Sequence, residues 1–137
     1  MSQGLERFVE AQRSTYNQAL AELRGGQKRG HWMWFVFPQI AGLGRTSTAR
    51  FYALADLAEA CAYLAHPTLG PRLLAATGAM LGWAGRKEAV AILGEVDAMK
   101  FRSSMTLFEA AGGEPRFGQA LDAFYAGERD RLTLDLL

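Results

Sequence analysis

The segment from His31 to Gln39 constrains the fold most strongly, because four large aromatic residues occupy six consecutive positions within it. These residues are Trp32, Trp34, Phe35 and Phe37. Such side chains carry most of the apolar surface that a small core buries, so the rest of the chain must pack around them. The segment is too uniformly apolar for its periodicity to distinguish a helix from a strand. Pro38 is expected to end it.

The remainder of the chain predicts helices. Apolar residues recur at helical spacing, and the alternating patterns typical of strands are nearly absent. Asp56-x-x-Glu59 resembles a capping box, and the pairs Gly25-Gly26 and Gly112-Gly113 are expected to interrupt helices. The chain has 137 residues and neither an internal repeat nor a linker. The sequence therefore predicts an all-α, compact single domain of about six to eight helices spanning residues 1–137.

Several local predictions concern helix ends and the tail. Ser47 is expected to cap a short helix through Leu54, and Thr15 with Gln18 has the spacing of a second capping box. The tail carries four leucines, and we expect it to pack against the domain because exposing them would be costly. These leucines are Leu132, Leu134, Leu136 and Leu137.

Composition excludes several classes of partner. Fifteen basic and fourteen acidic residues leave a net charge of +1, which argues against binding to nucleic acid or to an anionic membrane. Apolar runs fall far short of the roughly 20 residues of a membrane span, and the N-terminus lacks a signal-peptide pattern. One cysteine and two histidines cannot form a zinc site of the usual composition. We expect a cytoplasmic protein with no metal and no cofactor.

Polar residues at both ends of the aromatic segment suggest a binding site. His31 and Gln39 bracket the segment, and both side chains can donate and accept hydrogen bonds. Trp34 offers a face on which a planar ring could stack. The alternative is a purely structural role, in which the aromatic residues form the core and His31 is an ordinary histidine beside it.

The helix expected near residues 96–110 places polar residues on its apolar face. At about 100° per residue, one face about 100° wide carries Asp97, Lys100, Phe101, Ser104 and Phe108. A buried charge is costly unless it is paired. The functional interpretation is a polar site within an apolar pocket, where Lys100 binds an anion and Ser104 donates a hydrogen bond. The structural alternative is an Asp97–Lys100 pair at the helix edge.

The other polar positions of this helix and of its neighbours have simpler interpretations. Arg102, Thr106 and Glu109 fall on the opposite face and are expected to be exposed. Lys28 lies after the second helix and is expected in a solvated loop. Gln12 follows an apolar stripe on the first helix, so its side chain is expected to point inward, either as a hydrogen-bonded core amide or as part of the site.

Motifs along nearly the whole chain resemble one family. The matching blocks are Arg7-Phe8-Val9-x-Ala11-Gln12, Tyr16-x-x-Ala19-Leu20-x-Glu22-Leu23, His31-Trp32-Met33-Trp34-Phe35-Val36-Phe37-Pro38-Gln39, Gly42-Leu43-Gly44, Tyr63-Leu64-x-His66-Pro67-x-Leu69-Gly70-x-Arg72-Leu73 and Asp97-x-x-Lys100-x-x-Ser103-Ser104-Met105-Thr106-Leu107-Phe108. In these blocks the chain is similar to the bacterial domain of unknown function numbered 1810. The resemblance implies a multihelical single domain and no particular activity. A calpain-inhibitor label sometimes given to that family implies a flexible peptide, which this half-hydrophobic chain does not resemble.

Three hypotheses about function follow. The first is a pocket for a small ligand with a planar ring and an anionic group, such as a nucleotide-like metabolite; its predicted lining is Gln12, His31, Trp34, Gln39, Lys100 and Ser104. If the pocket is catalytic, His31 is the candidate acid or base, Asp97 its orienting carboxylate, and Lys100 a further candidate. The second hypothesis is a non-catalytic protein-interaction module that uses the aromatic segment. The third is a structural network in which the polar residues satisfy one another.

Overall fold

The computed structural model describes residues 2–112 and 114–137, and this part of the chain folds into ten helices. They are α1 (Ser2–Gln12), α2 (Tyr16–Arg24), α3 (Met33–Val36), α4 (Ser47–Phe51), α5 (Leu57–Ala65), α6 (Leu69–Leu81), α7 (Ala89–Leu93), α8 (Glu95–Ala111), α9 (Pro115–Tyr125) and α10 (Arg131–Asp135). The all-α prediction is confirmed. Gly112 ends α8 as predicted, whereas Gly113 lies outside the described residues. None of the ten helices is both long enough and apolar enough to cross a membrane.

Helix α8 is the centre of the structure. Helices α5, α7, α9 and α10 all pack against it. Six consecutive residues in its second half, 103–108, are buried, so this part of the helix has no solvent-facing side. Phe101 and Phe108 lie fully inside the core, as their positions on the helix predict.

The aromatic segment forms part of the same core. It adopts a single helical turn, α3, and both Trp32 and Phe37 beside that turn are buried. The Phe37 ring meets the Phe101 ring edge-on, with 4.8 Å between the ring centroids. This contact fixes the aromatic segment against α8.

Backbone hydrogen bonds position the chain that follows α3. The amide of Leu54 donates to the Gln39 carbonyl at 2.9 Å, and the amide of Ala41 donates to the Leu54 carbonyl at 2.8 Å. The resulting isolated parallel bridge between Ile40 and Leu54 holds the loop that carries Gln39.

Two of the predicted helix starts are wrong in detail. Thr46, not Ser47, caps α4, because Thr46 has the extended backbone that a cap requires and its hydroxyl accepts the amide of Ala49 at 3.1 Å. The helix then ends at Phe51 rather than Leu54. Thr15 makes no side-chain capping bond. Asp56 does cap α5, since its carboxylate accepts the Glu59 amide at 2.9 Å.

The tail packs against the domain mainly through polar residues. Thr133 is fully buried, the Asp130 amide donates to the Thr106 hydroxyl at 2.9 Å, and the Asp130 carboxylate accepts from the Ser103 hydroxyl at 2.9 Å. The four tail leucines remain 43–64% exposed, so the prediction that they would be covered is wrong. Anchoring at Asp130 and Thr133 leaves the leucines of the short helix α10 on its outer side.

Glu22 organises the loop that leads into the aromatic segment. One carboxylate oxygen accepts the amides of Arg29 and Gly30 at 2.8 and 2.9 Å and the Trp32 indole N–H at 2.8 Å. The other oxygen accepts from Gln18 at 2.9 Å. Desolvation raises the pKa of Glu22, but the hydrogen bonds outweigh it and lower the pKa to about 2.

We predict that Glu22→Gln lowers the free energy of unfolding by about 1–3 kcal/mol at pH 7, because charge-assisted hydrogen bonds are lost. A carboxylate whose pKa is lowered in the folded state stabilises that state above its unfolded pKa and loses this effect as pH falls toward 2. The difference between wild type and variant, measured by urea unfolding, should therefore shrink as the pH is lowered from 6 to 2. Glu10→Gln, in an exposed pair with Arg13, should change stability by less than about 0.5 kcal/mol.

Candidate functional site

A groove of about 290 Å³ opens on the surface over the first turns of α8. Three other segments complete it: the chain at Gln39, the loop at residues 43–44, and the start of α10. The lining residues are Gln39, Leu43, Gly44, Val96, Met99, Lys100, Arg102, Ser103, Asp130 and Leu132.

One face of α8 forms the floor and one rim of the groove. Val96, Met99, Lys100 and Ser103 fall within about 100° of one another around the helix axis. Val96 is 66% exposed and Met99 73% exposed, while Leu132 on the opposite rim is 64% exposed. These are unusually high values for large apolar side chains that stand together, and such clusters mark binding surfaces.

The loop of residues 42–44 and the end of α10 support each other at the edge of the groove. Gly42 has φ +108°, a conformation that residues with side chains rarely adopt. A Cβ atom at this position would also lie 3.2 Å from the methyl groups of Leu136. The backbone conformation therefore favours glycine here, and a larger residue would also have to displace the Leu136 side chain slightly.

The Asp97 carboxylate lies near the ammonium groups of two lysines, at unequal distances. The Lys28 ammonium lies 2.9 Å from one carboxylate oxygen, and the Lys100 ammonium lies 3.9 Å from the other. Lys28 is also the more buried lysine, with a side chain only 9% exposed, and it donates to the Gly30 carbonyl at 2.5 Å. The expectation that Lys28 lies in a solvated loop is wrong, because Asp97 pairs with it.

Lys100 is held mainly by the face of an indole ring. Its ammonium lies 4.9 Å from the centre of the Trp34 ring, within range of a cation–π interaction. Trp34 is partly buried and lies beside the groove, outside its lining. Lys100 therefore lines the groove with a side chain whose ammonium makes one long ionic contact and one aromatic contact.

The C-terminal segment covers the side of α8 that was predicted to be exposed. Arg102 donates to the carbonyls of Glu128 and Arg129 at 3.0 and 2.8 Å, and the Thr106 hydroxyl accepts the Asp130 amide at 2.9 Å. Thr106 is 1% exposed. The prediction of an exposed face is wrong because residues 128–133 pack onto it.

Glu109, the third residue of that face, also contacts the C-terminal segment. Its carboxylate forms a paired hydrogen-bonded contact with Arg129, at 2.8 and 2.5 Å. The hydrogen bonds from Arg129 lower the pKa of Glu109 below its usual range despite partial burial. This pair ties the C-terminal segment to the last turns of α8.

Of the six lining residues predicted from sequence, Gln39 and Lys100 line the groove, whereas the other four, Gln12, His31, Trp34 and Ser104, lie outside its lining. His31 is exposed on the loop before α3 and forms no hydrogen bond or ion pair with Asp97 or Lys100. Ser104 is fully buried, and its hydroxyl has no hydrogen-bond partner among the described residues. The predicted contact between His31 and Asp97 is therefore absent.

Gln12, the remaining predicted site residue, belongs to a polar network in the core. Its amide nitrogen donates to the Phe35 carbonyl at 2.7 Å and to the Tyr63 hydroxyl at 3.1 Å, and its oxygen accepts from Arg72 at 3.4 Å. Burial raises the pKa of Tyr63, although the hydrogen bond from Gln12 opposes the shift. The network satisfies Gln12 without a ligand.

Sequence reasoning missed most of the apolar lining. Val96 and Met99 were not singled out, because an exposed apolar residue looks unremarkable until its neighbours are known, and Leu132 was expected to be covered. The tail did carry a usable signal. Asp130-x-x-Thr133 has the spacing of a helix cap, and it places Leu132 in the first turn of a helix.

The fold and the groove define an all-α domain with a surface site that combines apolar walls and cationic side chains. The chain belongs to the family described as "Protein of unknown function (DUF1810)", which it matches over residues 2–137. It is also similar to the crystal structure of a conserved hypothetical protein from Mycobacterium tuberculosis. The two share 46% sequence identity with a TM-score of 0.94, covering 97% of this chain and 95% of the other. No curated protein matches the chain.

We predict that Asp97→Asn lowers the free energy of unfolding by about 2–4 kcal/mol, because it leaves the ammonium of Lys28 largely buried without its carboxylate. The measurement is urea unfolding at neutral pH. Asp122→Asn is the control, since Asp122 is mostly exposed and lies 3.5 Å from Arg129; it should change stability by less than about 0.5 kcal/mol. Equal effects of the two substitutions would show that the Lys28–Asp97 pair adds nothing to stability.

Proposed function

We propose that the groove over the first turns of α8 binds a small metabolite with an apolar body and an anionic group. The observation that carries the proposal is the ammonium of Lys100. Asp97 has a closer partner in Lys28, so the charge of Lys100 is only weakly balanced by the protein. A ligand anion would supply the missing partner.

The surroundings of Lys100 support the same assignment. Leu43, Val96, Met99 and Leu132 give the groove apolar walls, so an ion pair formed there is less screened than one in open water. The side-chain amide of Gln39 makes no hydrogen bond within residues 2–112 and 114–137, which leaves it available to a ligand. Sites for small molecules usually combine such walls with a few polar groups that fix orientation.

Binding receives more support than catalysis. A general acid or base needs hydrogen-bond reach of the reacting group, and His31, the histidine singled out from the sequence, stands outside the lining of the groove. Asp97 is engaged by Lys28 and does not orient His31. We therefore propose a binding role for this site.

The alternative, an interaction module built on the aromatic segment, has less support. Trp32 and Phe37 are buried in the core, and Trp34 is partly covered by Lys100. The aromatic segment therefore offers little surface to a partner. Exposed apolar side chains stand instead on α8 and α10.

We predict that Lys100→Met weakens binding of an anionic amphiphile about tenfold while His31→Ala leaves it unchanged. Methionine keeps the apolar stem of lysine and removes its charge, and one charge-assisted hydrogen bond accounts for a change of this size. The probe is octanesulfonate, and its binding to the folded chain is followed by isothermal titration calorimetry. Circular dichroism and thermal unfolding confirm that each variant is folded.

Two outcomes would contradict the proposal. Equal affinities for wild type, Lys100→Met and His31→Ala would remove Lys100 from the site. A folded wild-type chain that binds neither this probe nor any other anionic amphiphile would mean that the groove is not a ligand site.

A further inference from the structure

From the chemistry of the groove walls we infer that the ligand is a monoanionic carboxylate with a flexible aliphatic chain, rather than a nucleotide or another planar aromatic anion. This inference rests on the proposed function and narrows the class of ligand. It depends on three features of the lining: its aliphatic walls, its charge, and the position of Lys100 relative to Trp34.

The walls contain no aromatic ring among the described lining residues. Leu43, Val96 and Leu132 are branched aliphatic side chains, and Met99 is a flexible thioether. A nucleobase is normally held by stacking on a ring or on a planar guanidinium, and the guanidinium in this lining, that of Arg102, is held against the C-terminal segment by the carbonyls of Glu128 and Arg129. Aliphatic side chains and methionine instead adapt their shape to a chain that itself has many conformations.

The nearest aromatic face is already occupied. The Lys100 ammonium stands over the face of the Trp34 ring, 4.9 Å from its centre, and Lys100 itself lines the groove. A planar ligand that stacked on this face of Trp34 would have to displace Lys100, the same residue that would bind its anionic group. A nucleotide-like ligand needs a ring on which its base stacks and a cation that binds its phosphate at the same time. Here Lys100 covers the face of Trp34, so the two contacts compete.

The charge of the lining fits a single negative charge. Lys100 and Arg102 are the cations and Asp130 is the carboxylate, so one positive charge remains. Arg102 is held by two backbone carbonyls, which leaves Lys100 as the freer cation. A nucleotide phosphate carries a larger negative charge, and it would lie close to the Asp130 carboxylate in the same groove.

The ligand is therefore oriented along the groove. Its carboxylate contacts Lys100 and the amide of Gln39, and its chain runs over Val96 and Met99 toward Leu132. Each methylene buried in this way is expected to tighten binding by up to about fourfold, until the chain extends beyond the walls.

The test is a set of NMR titrations of the full chain with hexanoate, octanoate, octylamine, adenosine monophosphate and indole-3-acetate. We expect octanoate to bind roughly tenfold more tightly than hexanoate, with shifts confined to the amides of residues 39–44, 96–103 and 130–132. Octylamine has the same chain with the opposite charge and should bind at least tenfold more weakly. The nucleotide and the aromatic carboxylate should also bind more weakly than octanoate.

Two variants, each of which replaces an exposed apolar residue with glutamate, test whether octanoate binds in the groove. Met99→Glu places a carboxylate on the wall of the groove and should abolish octanoate binding. Val90→Glu makes a comparable change at an exposed residue of α7 outside the lining and should leave binding unchanged. Because Met99 is 73% exposed, its substitution should not disturb folding.

The outcomes separate this inference from the function on which it rests. Binding of adenosine monophosphate or indole-3-acetate in the groove, without binding of octanoate, would overturn the aliphatic assignment and leave the proposed function intact. Octanoate binding that Met99→Glu does not weaken would place the ligand elsewhere and overturn the inference. Failure of every anion to bind would overturn both.

Discussion

Helix α8 is buried on every side over residues 103–108, where the hydroxyls of Ser103 and Thr106 find partners within the protein and that of Ser104 has none among the described residues. A buried hydroxyl without a partner costs about 1–3 kcal/mol. Thr106 donates to the Arg102 carbonyl one turn earlier and accepts the amide of Asp130. Ser103 donates to the carboxylate of Asp130. The C-terminal segment is thus required by the central helix, and it packs there through hydrogen bonds more than through its leucines.

The same arrangement produces the groove. The C-terminal segment covers α8 at Arg102 and beyond, and the loop that carries Gln39 and Leu43 lines the same groove and meets Leu136 at its edge. Neither one covers the first turns of α8, so Met99 stands exposed between them. The floor at Ser103 is fixed by the hydrogen bond that its hydroxyl donates to the Asp130 carboxylate, whereas the methionine rim can adapt its shape. A fixed floor with an adaptable rim suits a ligand whose length varies.

The sequence was sufficient to predict those features of the fold that depend on the local pattern of apolar residues. The all-α fold and the inward positions of Phe101 and Phe108 follow from helical periodicity alone. It could not predict which distant segment covers a helix face. Thr106 looked exposed because its partner, Asp130, lies 24 residues further along the chain. The sequence predicted that Gln12 points inward, but it could not identify its hydrogen-bond partner, because Tyr63 lies 51 residues away.

The candidate site was predictable only in part, for the same reason. The sequence predicted that Lys100 and Gln39 would come together, and both do line one groove. It could not show that Asp97 pairs more closely with Lys28 than with Lys100, because that contact joins a loop before α3 to the start of α8. Satisfied polar groups, such as Gln12 and Lys28, hold the fold together. Lys100 stands at the surface of an apolar groove with a long contact to a carboxylate that another lysine already neutralises. Such an incompletely paired charge adds little to the stability of the folded chain, which is why the proposed function places an anion from solution against it.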